Sequence, residues 1–175
     1  MTVAFSGTFR IIDEWVHTDS NNVSTPADRA NYRFFQPYTD GSGDDQMQDQ
    51  YVNQATVSIG EGNEDQYDLA GGLVDVFGNT LTFATIKKLI IINTSTTAGE
   101  DLTIGGPSGG TTGALITDLF DGDSDSRLKI KAGYGFALGG GEAGYTVTGG
   151  SADVLVVTNA GTGDITYDII IAGTR

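Results

Sequence analysis

Four things are scarce in this chain of 175 residues: it has no cysteine, three prolines, nine basic residues and a single histidine. Without cysteine there are no disulfides and no thiolate metal sites, and the redox compartment is left undetermined. Nine Lys and Arg stand against 23 Asp and Glu, a formal charge of −14. Binding nucleic acid needs clustered cations that displace counterions from phosphates, so this balance argues against a nucleic-acid partner. A membrane surface is disfavoured for the same reason. The longest strongly apolar run, Leu89 to Ile92, is far too short to span a bilayer as a helix. The opening Met1-Thr-Val-Ala-Phe-Ser-Gly has no basic start followed by a long apolar segment, so no secretory signal is expected. A histidine-based triad or metal site would have to be built around His17 alone, and a packed or exposed aromatic is the better reading of it.

What is present is glycine, 26 residues of it, with many Thr, Val, Ile and Asp and no triplet period. That composition excludes collagen and points to an all-β protein with many turns. Ile86 to Ile92, Val154 to Val157 and Ile165 to Ile171 are β-branched runs bracketed too tightly for helices. Further strands are expected over Tyr51–Ile59, Asp101–Ile104, Ala114–Phe120, Arg127–Lys131, Gly135–Leu138 and Tyr145–Thr148. Asp68–Asn79 is ambiguous and is read as a strand end and one helical turn closed by Gly78. Turns every 8 to 12 residues with no long repeat predict an antiparallel β-sandwich over 51–175, with jelly-roll topology leading.

The three apolar runs carry a second message. Successive strand residues point to opposite faces, so a run that is apolar on both cannot bury everything in one two-layer core. Ile90, Ile92 and Ile170 are the outward misfits, and the cover expected for them is another copy of the chain, as in a homotrimer, or a large assembly.

Residues 1–50 differ from the rest. Val3, Phe5, Gly7, Phe9 and Ile11 alternate as a strand or extended arm would. A polar, acidic stretch then surrounds an aromatic group at Tyr32, Phe34, Phe35 and Tyr38. Twelve acids against three arginines fall within the first seventy residues. A loosely structured arm held by aromatic anchors explains the mix, and full disorder would not need Trp15, Phe34 and Phe35.

Little of this suggests catalysis. Asp121-Gly-Asp-Ser-Asp begins like a calcium loop, but Ser126 stands where the turn needs glycine and Ala132 where the bidentate Glu belongs, so a solvated turn is the better account. A looser calcium site at a subunit contact stays open. Gly139-Gly-Gly, Gly149-Gly and Gly105-Gly-Pro-Ser-Gly-Gly lack the context of phosphate loops and read as turns. Among 23 acids some pair will be close, yet nothing singles out a glycosidase pair. Arg127-Leu-Lys-Ile-Lys lines Arg127, Lys129 and Lys131 on one face: a charge-protected edge strand, or a basic stripe facing an acidic neighbour. No enzyme activity and no cofactor are expected.

The stretch Asp68-Leu-Ala-Gly-Gly-Leu-Val-Asp-Val-Phe-Gly-Asn-Thr-Leu-Thr-Phe-Ala-Thr-Ile-Lys-Lys-Leu-Ile-Ile-Ile-Asn, with the ending Tyr167-Asp-Ile-Ile-Ile-Ala-Gly-Thr, resembles small structural proteins of tailed bacteriophages. The likeness covers roughly residues 50 to 175 and is most similar to capsid decoration or cement proteins. It implies a jelly roll standing on the outer surface of an icosahedral head, often as a trimer, made in the host cytoplasm and bound to the major capsid protein. In that setting Phe5, Phe9, Trp15, Tyr32, Phe34, Phe35 and Tyr38 would be the shell-binding residues of the arm. A tail or fibre module binding host glycans and a glycan-cleaving β-sandwich enzyme are the alternatives.

Overall fold

The computed structural model describes residues 4–18, 27–106, 119 and 126–175. The described residues form strands and turns. The first hairpin joins β1 (Gly7–Thr18) to β2 (Ala27–Asp40), and β2 continues into parallel pairing with the short β3 (Gln46–Met47). Two sheets follow, one of five strands and one of four. One has the order β4 (Asp49–Ile59), β14 (Ile165–Thr174), β8 (Thr85–Asn93) and then β11 (Gly135–Gly139), with β12 (Tyr145–Thr146) sharing the β11 edge of β8. The other runs β5 (Glu64–Asp68), β13 (Val154–Asn159), β9 (Leu102–Gly105), β10 (Arg127–Ile130). All pairings within these two sheets are antiparallel.

The core between the sheets follows from strand period. Ile165, Tyr167, Ile169 and Ile171 alternate along β14 and are all fully buried, as are Leu89 and Ile91 on β8 beside them. Leu102, Ile104, Leu155 and Val157 face them from the second sheet. Each such side chain contributes about 1.5–3 kcal/mol by leaving water. Two buried asparagines tie the strand ends to neighbouring loops. Asn93 donates to the carbonyls of Glu100 and Ile130 at 2.8 and 3.2 Å, and Asn159 donates to those of Ile59 and Gly163 at 2.9 and 2.7 Å. A polar chain also crosses the core: Tyr167 donates to Asp65 at 2.7 Å and shares a short hydrogen bond with Tyr67. Burial pushes both phenols well above the ordinary phenol range.

Several elements differ from the sequence reading. The ambiguous Asp68–Asn79 segment holds no helical turn; β6 (Leu73–Val74) pairs with β7 (Thr80–Leu81) in a miniature hairpin. The strand β5 was not expected, because Glu64-Asp-Gln-Tyr-Asp buries only Tyr67 and sits at a sheet edge. The strand expected over Ala114–Phe120 falls outside the described residues except for Leu119. Residues 7–18 and 27–40 are regular rather than loose: twelve pairs join β1 to β2 in unbroken register.

The doubly apolar strands find part of their second cover within the same chain. Ala172 is fully buried and Ile90 half-buried against a small second core of Phe9, Tyr38 and Met47, contributed by the first fifty residues. Ile90 is therefore packed on its own hairpin root, not held free for another subunit. Farther along the same outer face, Ile170 is half-buried and Ile92 is 42% exposed.

Candidate functional site

The hairpin β1–β2 is the element the fold leaves most exposed, and its register decides what it presents. Directly opposed residues of an antiparallel pair share a face. Phe9, Ile11 and Trp15 of β1 therefore lie on the same face as Tyr38, Phe34, Tyr32 and Ala30 of β2. The other face carries Arg10, Ile12, Glu14 and Val16 opposite Phe35, Arg33 and Asn31.

The face of Phe9 and Trp15, apolar except for Asp13 and Gln36, has two environments along its length. At the root, Phe9 and Tyr38 are buried, Met47 beneath them is fully buried, and Phe5 and Phe34 pack at the margin. The rings of Phe9 and Phe34 meet edge to face at 6.3 Å. Gly139 makes the docking feasible: a Cβ there would stand 2.5 Å from Phe9 Cδ1. Tyr38 donates its hydroxyl to the Gly140 carbonyl at 3.0 Å, and the Asp45 amide donates to the Gly141 carbonyl at 2.6 Å. Burial raises the Tyr38 phenol above its ordinary range, partly offset by that carbonyl contact.

Beyond the root the cover stops. Every described side chain from Arg10 to Val16 is exposed. Ile11 and Trp15 are each 44% exposed and Tyr32 61%, so the hairpin projects from the sandwich with its apolar face bare. At about 3.3 Å per residue, Arg10 to Thr18 alone reaches ~30 Å. The reverse face combines exposed Ile12, Val16 and Phe35 with polar contacts. Glu14 pairs with Arg33 at 2.7 Å and accepts from Asn31 at 3.1 Å, while Arg10 lies over the Phe35 ring.

The seven aromatics expected to bind a shell thus separate. Phe9 and Tyr38 are structural, buried by their own sandwich, which corrects their assignment as free anchors. Phe5 and Phe34 are half-buried at the root. Trp15 and Tyr32 share the bare face, and Phe35 is exposed on the reverse one. Pairing of 7–18 with 27–40 was legible in hindsight, since odd positions from Phe9 to Trp15 and even positions from Tyr32 to Tyr38 carry the apolar set.

A second exposed apolar element is the tip between β6 and β7. Asp75 accepts from the amides of Phe77 and Asn79, both at 2.8 Å, and from the Asn79 side chain at 2.9 Å. Those donors hold its carboxyl below the usual carboxylate range. Gly78 takes φ +83°, which closes the turn at little cost. The tip so fixed leaves Val76 and Phe77 76% and 72% exposed. Asp49, at the start of β4, has its carboxyl raised first by burial, against the pull of Arg175, and further by the charges of Asp75 and Asp40.

Arg127 and Lys129 are exposed along β10, an edge strand, with Ile130 buried on the inner side, and exposed Lys131 lies just past the end of that strand. Lys129 reaches Asp101 of its own chain at 3.4 Å. This geometry favours edge protection over a stripe awaiting an acidic neighbour. Among the described residues no three His, Cys, Asp or Glu side chains are grouped closely enough to hold a metal. The calcium-like Asp121–Asp125 segment lies outside the described residues. No family model, curated protein or solved structure matches the chain.

Proposed function

We propose that this chain is a non-enzymatic structural subunit that attaches to an assembled protein surface through its projecting hairpin, as a capsid decoration protein attaches to the major capsid protein of a phage head. The observation that carries the proposal is the bare apolar face of Ile11, Trp15 and Tyr32, continuous with a root that the chain buries. A two-stranded ribbon is marginally stable in water on its own, and covering one face supplies what it lacks. Aromatic side chains at such a site are efficient contact residues because they bury much area for few rotatable bonds.

The strand order supports the jelly-roll part of the reading. With the β1-β2-β3 sheet and the short β6–β7 hairpin set aside and β11 and β12 counted as one split strand, eight principal strands remain among the described residues, in the orders β4-β14-β8-β11 and β5-β13-β9-β10. First and last strands thus pair, as do second and seventh, which is the arrangement of a chain wound double into two Greek keys. Such a domain stands outward while the hairpin lies along the shell. A protein that binds only the assembled lattice shifts the equilibrium towards it by mass action, with no chemistry required. The charge of −14 keeps unbound copies soluble and repels DNA. Ile92 and Ile170, left without full cover, are where trimer contacts would form.

The test is rebinding to parent particles stripped of the protein. The wild-type chain should co-sediment with them, and the double variant Trp15→Ala, Tyr32→Ala should remain in the supernatant although it melts like the wild type. Equal rebinding by the variant would remove the hairpin as the attachment element. Absence of the chain from purified particles by mass spectrometry would dispose of the virion assignment itself.

A further inference from the structure

Beside the hairpin root lies a cleft of about 240 Å³, with Lys87, Leu138, Tyr145 and the glycine-rich segment from Gly139 to Gly144 around it. Lys87 is its unusual member. The residue occupies the irregularity where β8 shifts register against β14, since Ala172 pairs with Lys88 but Gly173 pairs with Ile86. Its side chain is only 2% exposed. Nζ donates to the Gly43 carbonyl at 2.6 Å, and no carboxylate of a described residue forms an ion pair with it. An ammonium has three protons, and a single neutral carbonyl accommodates one. Buried charges are ordinarily paired, because the low-dielectric surroundings penalise an uncompensated ion.

We propose that this cleft binds a small monocarboxylate whose carboxyl group pairs with Lys87 and whose short apolar stem lies against Leu138 and Tyr145. The glycines make room. A Cβ on Gly144 would come within 2.8 Å of both the Ile86 carbonyl and Lys87 Cγ, so that position admits no side chain. The cleft is smaller than pockets that hold drug-sized molecules, about 300–1,000 Å³, which limits the ligand to a few heavy atoms. Exposed Glu142 on the lining supplies a negative charge that disfavours phosphates and dicarboxylates. The Gly139-Gly-Gly run, which reads as a turn in the sequence, is on this account one wall of an anion site.

Sodium butyrate is the probe, followed by the amide resonances of Gly139, Gly140 and Gly144, with butyramide and sodium chloride as controls. The expected result is a saturable shift with a dissociation constant in the millimolar range, as befits so small a ligand. Butyramide and chloride should leave those resonances in place. Lys87→Met, which keeps the volume and removes the charge, should weaken butyrate binding at least tenfold. Glu142→Gln, on an exposed residue, should tighten it several-fold. No saturable shift, or equal shifts with butyramide, would overturn the proposal whatever the variants do. So would weaker butyrate binding together with a lowered melting temperature in Glu142→Gln, because Glu142 would then be the internal partner of Lys87. If Lys87→Met does not fold, the wild-type titration and the Glu142→Gln response decide.

Discussion

The root and the tip of the first hairpin share a register, a face and a composition, and differ only in what lies beneath them. Phe9 at the root is 4% exposed while Trp15, three pairs farther along the same face, is 44% exposed. The root meets Gly139, Met47 and Ala172, whereas Ile11, Trp15 and Tyr32 farther along stand exposed. Side-chain period alone therefore identifies an apolar face but not its partner. The same residue types are buried at one end and left exposed at the other.

Substitutions should separate the two ends by size and by kind. The largest effect belongs to the root: Phe9→Ala should cost about 3–5 kcal/mol, as removal of a buried aromatic does, read by urea denaturation. At the tip, Trp15→Ala should leave stability within about 0.5 kcal/mol and instead weaken attachment by about 1–3 kcal/mol, read by titrating stripped particles. A loss of several kcal/mol of stability from Trp15→Ala would merge the two ends into one structural unit.

Alkaline titration sharpens the same contrast for buried phenols. Tyr38 at the root and Tyr67 and Tyr167 in the core are all held above the ordinary range, first by burial. A phenol whose folded pKa is raised keeps its proton more tightly folded than unfolded. Its contribution is therefore complete below the unfolded value of about 10 and is lost as pH rises past it. Each of the two core phenols should lower stability by about 1.4 kcal/mol per pH unit in that window, seen as a falling melting temperature. A melting temperature flat from pH 9 to 11.5 would contradict the burial of these hydroxyls. The smallest effect should come from the reverse face of the tip. Glu14→Gln breaks a pair about half exposed on each side, so it should cost only a few tenths of a kcal/mol and less at high salt.

The sandwich was readable because its inner positions are unambiguous. Ile165, Tyr167, Ile169 and Ile171 alternate without interruption, and each lies where the period puts it. Ile90 was readable as outward but not by what covers it, since Phe9, Tyr38 and Met47 lie more than forty positions away in the chain. The hairpin was harder still. Its return strand mixes Arg33, Gln36 and Pro37 with aromatics, and the charges on the reverse face hide the alternation. Lys87 gave no sequence signal at all, because adjacent Lys87 and Lys88 read as a solvated pair, and only the register shift turns the first of them under the hairpin root.

The central claim is that the tip face is bare in the free protein and covered when the protein attaches. Trp15 is the chain's one tryptophan, so its fluorescence reports on that face alone. In the free protein its emission should be that of a partly water-exposed indole, readily quenched by acrylamide. On rebinding to stripped particles, compared with buffer-matched particles alone, the emission should move to shorter wavelength and the quenching should drop several-fold. An indole already shielded in the free chain, or one equally quenchable before and after attachment, would contradict the account.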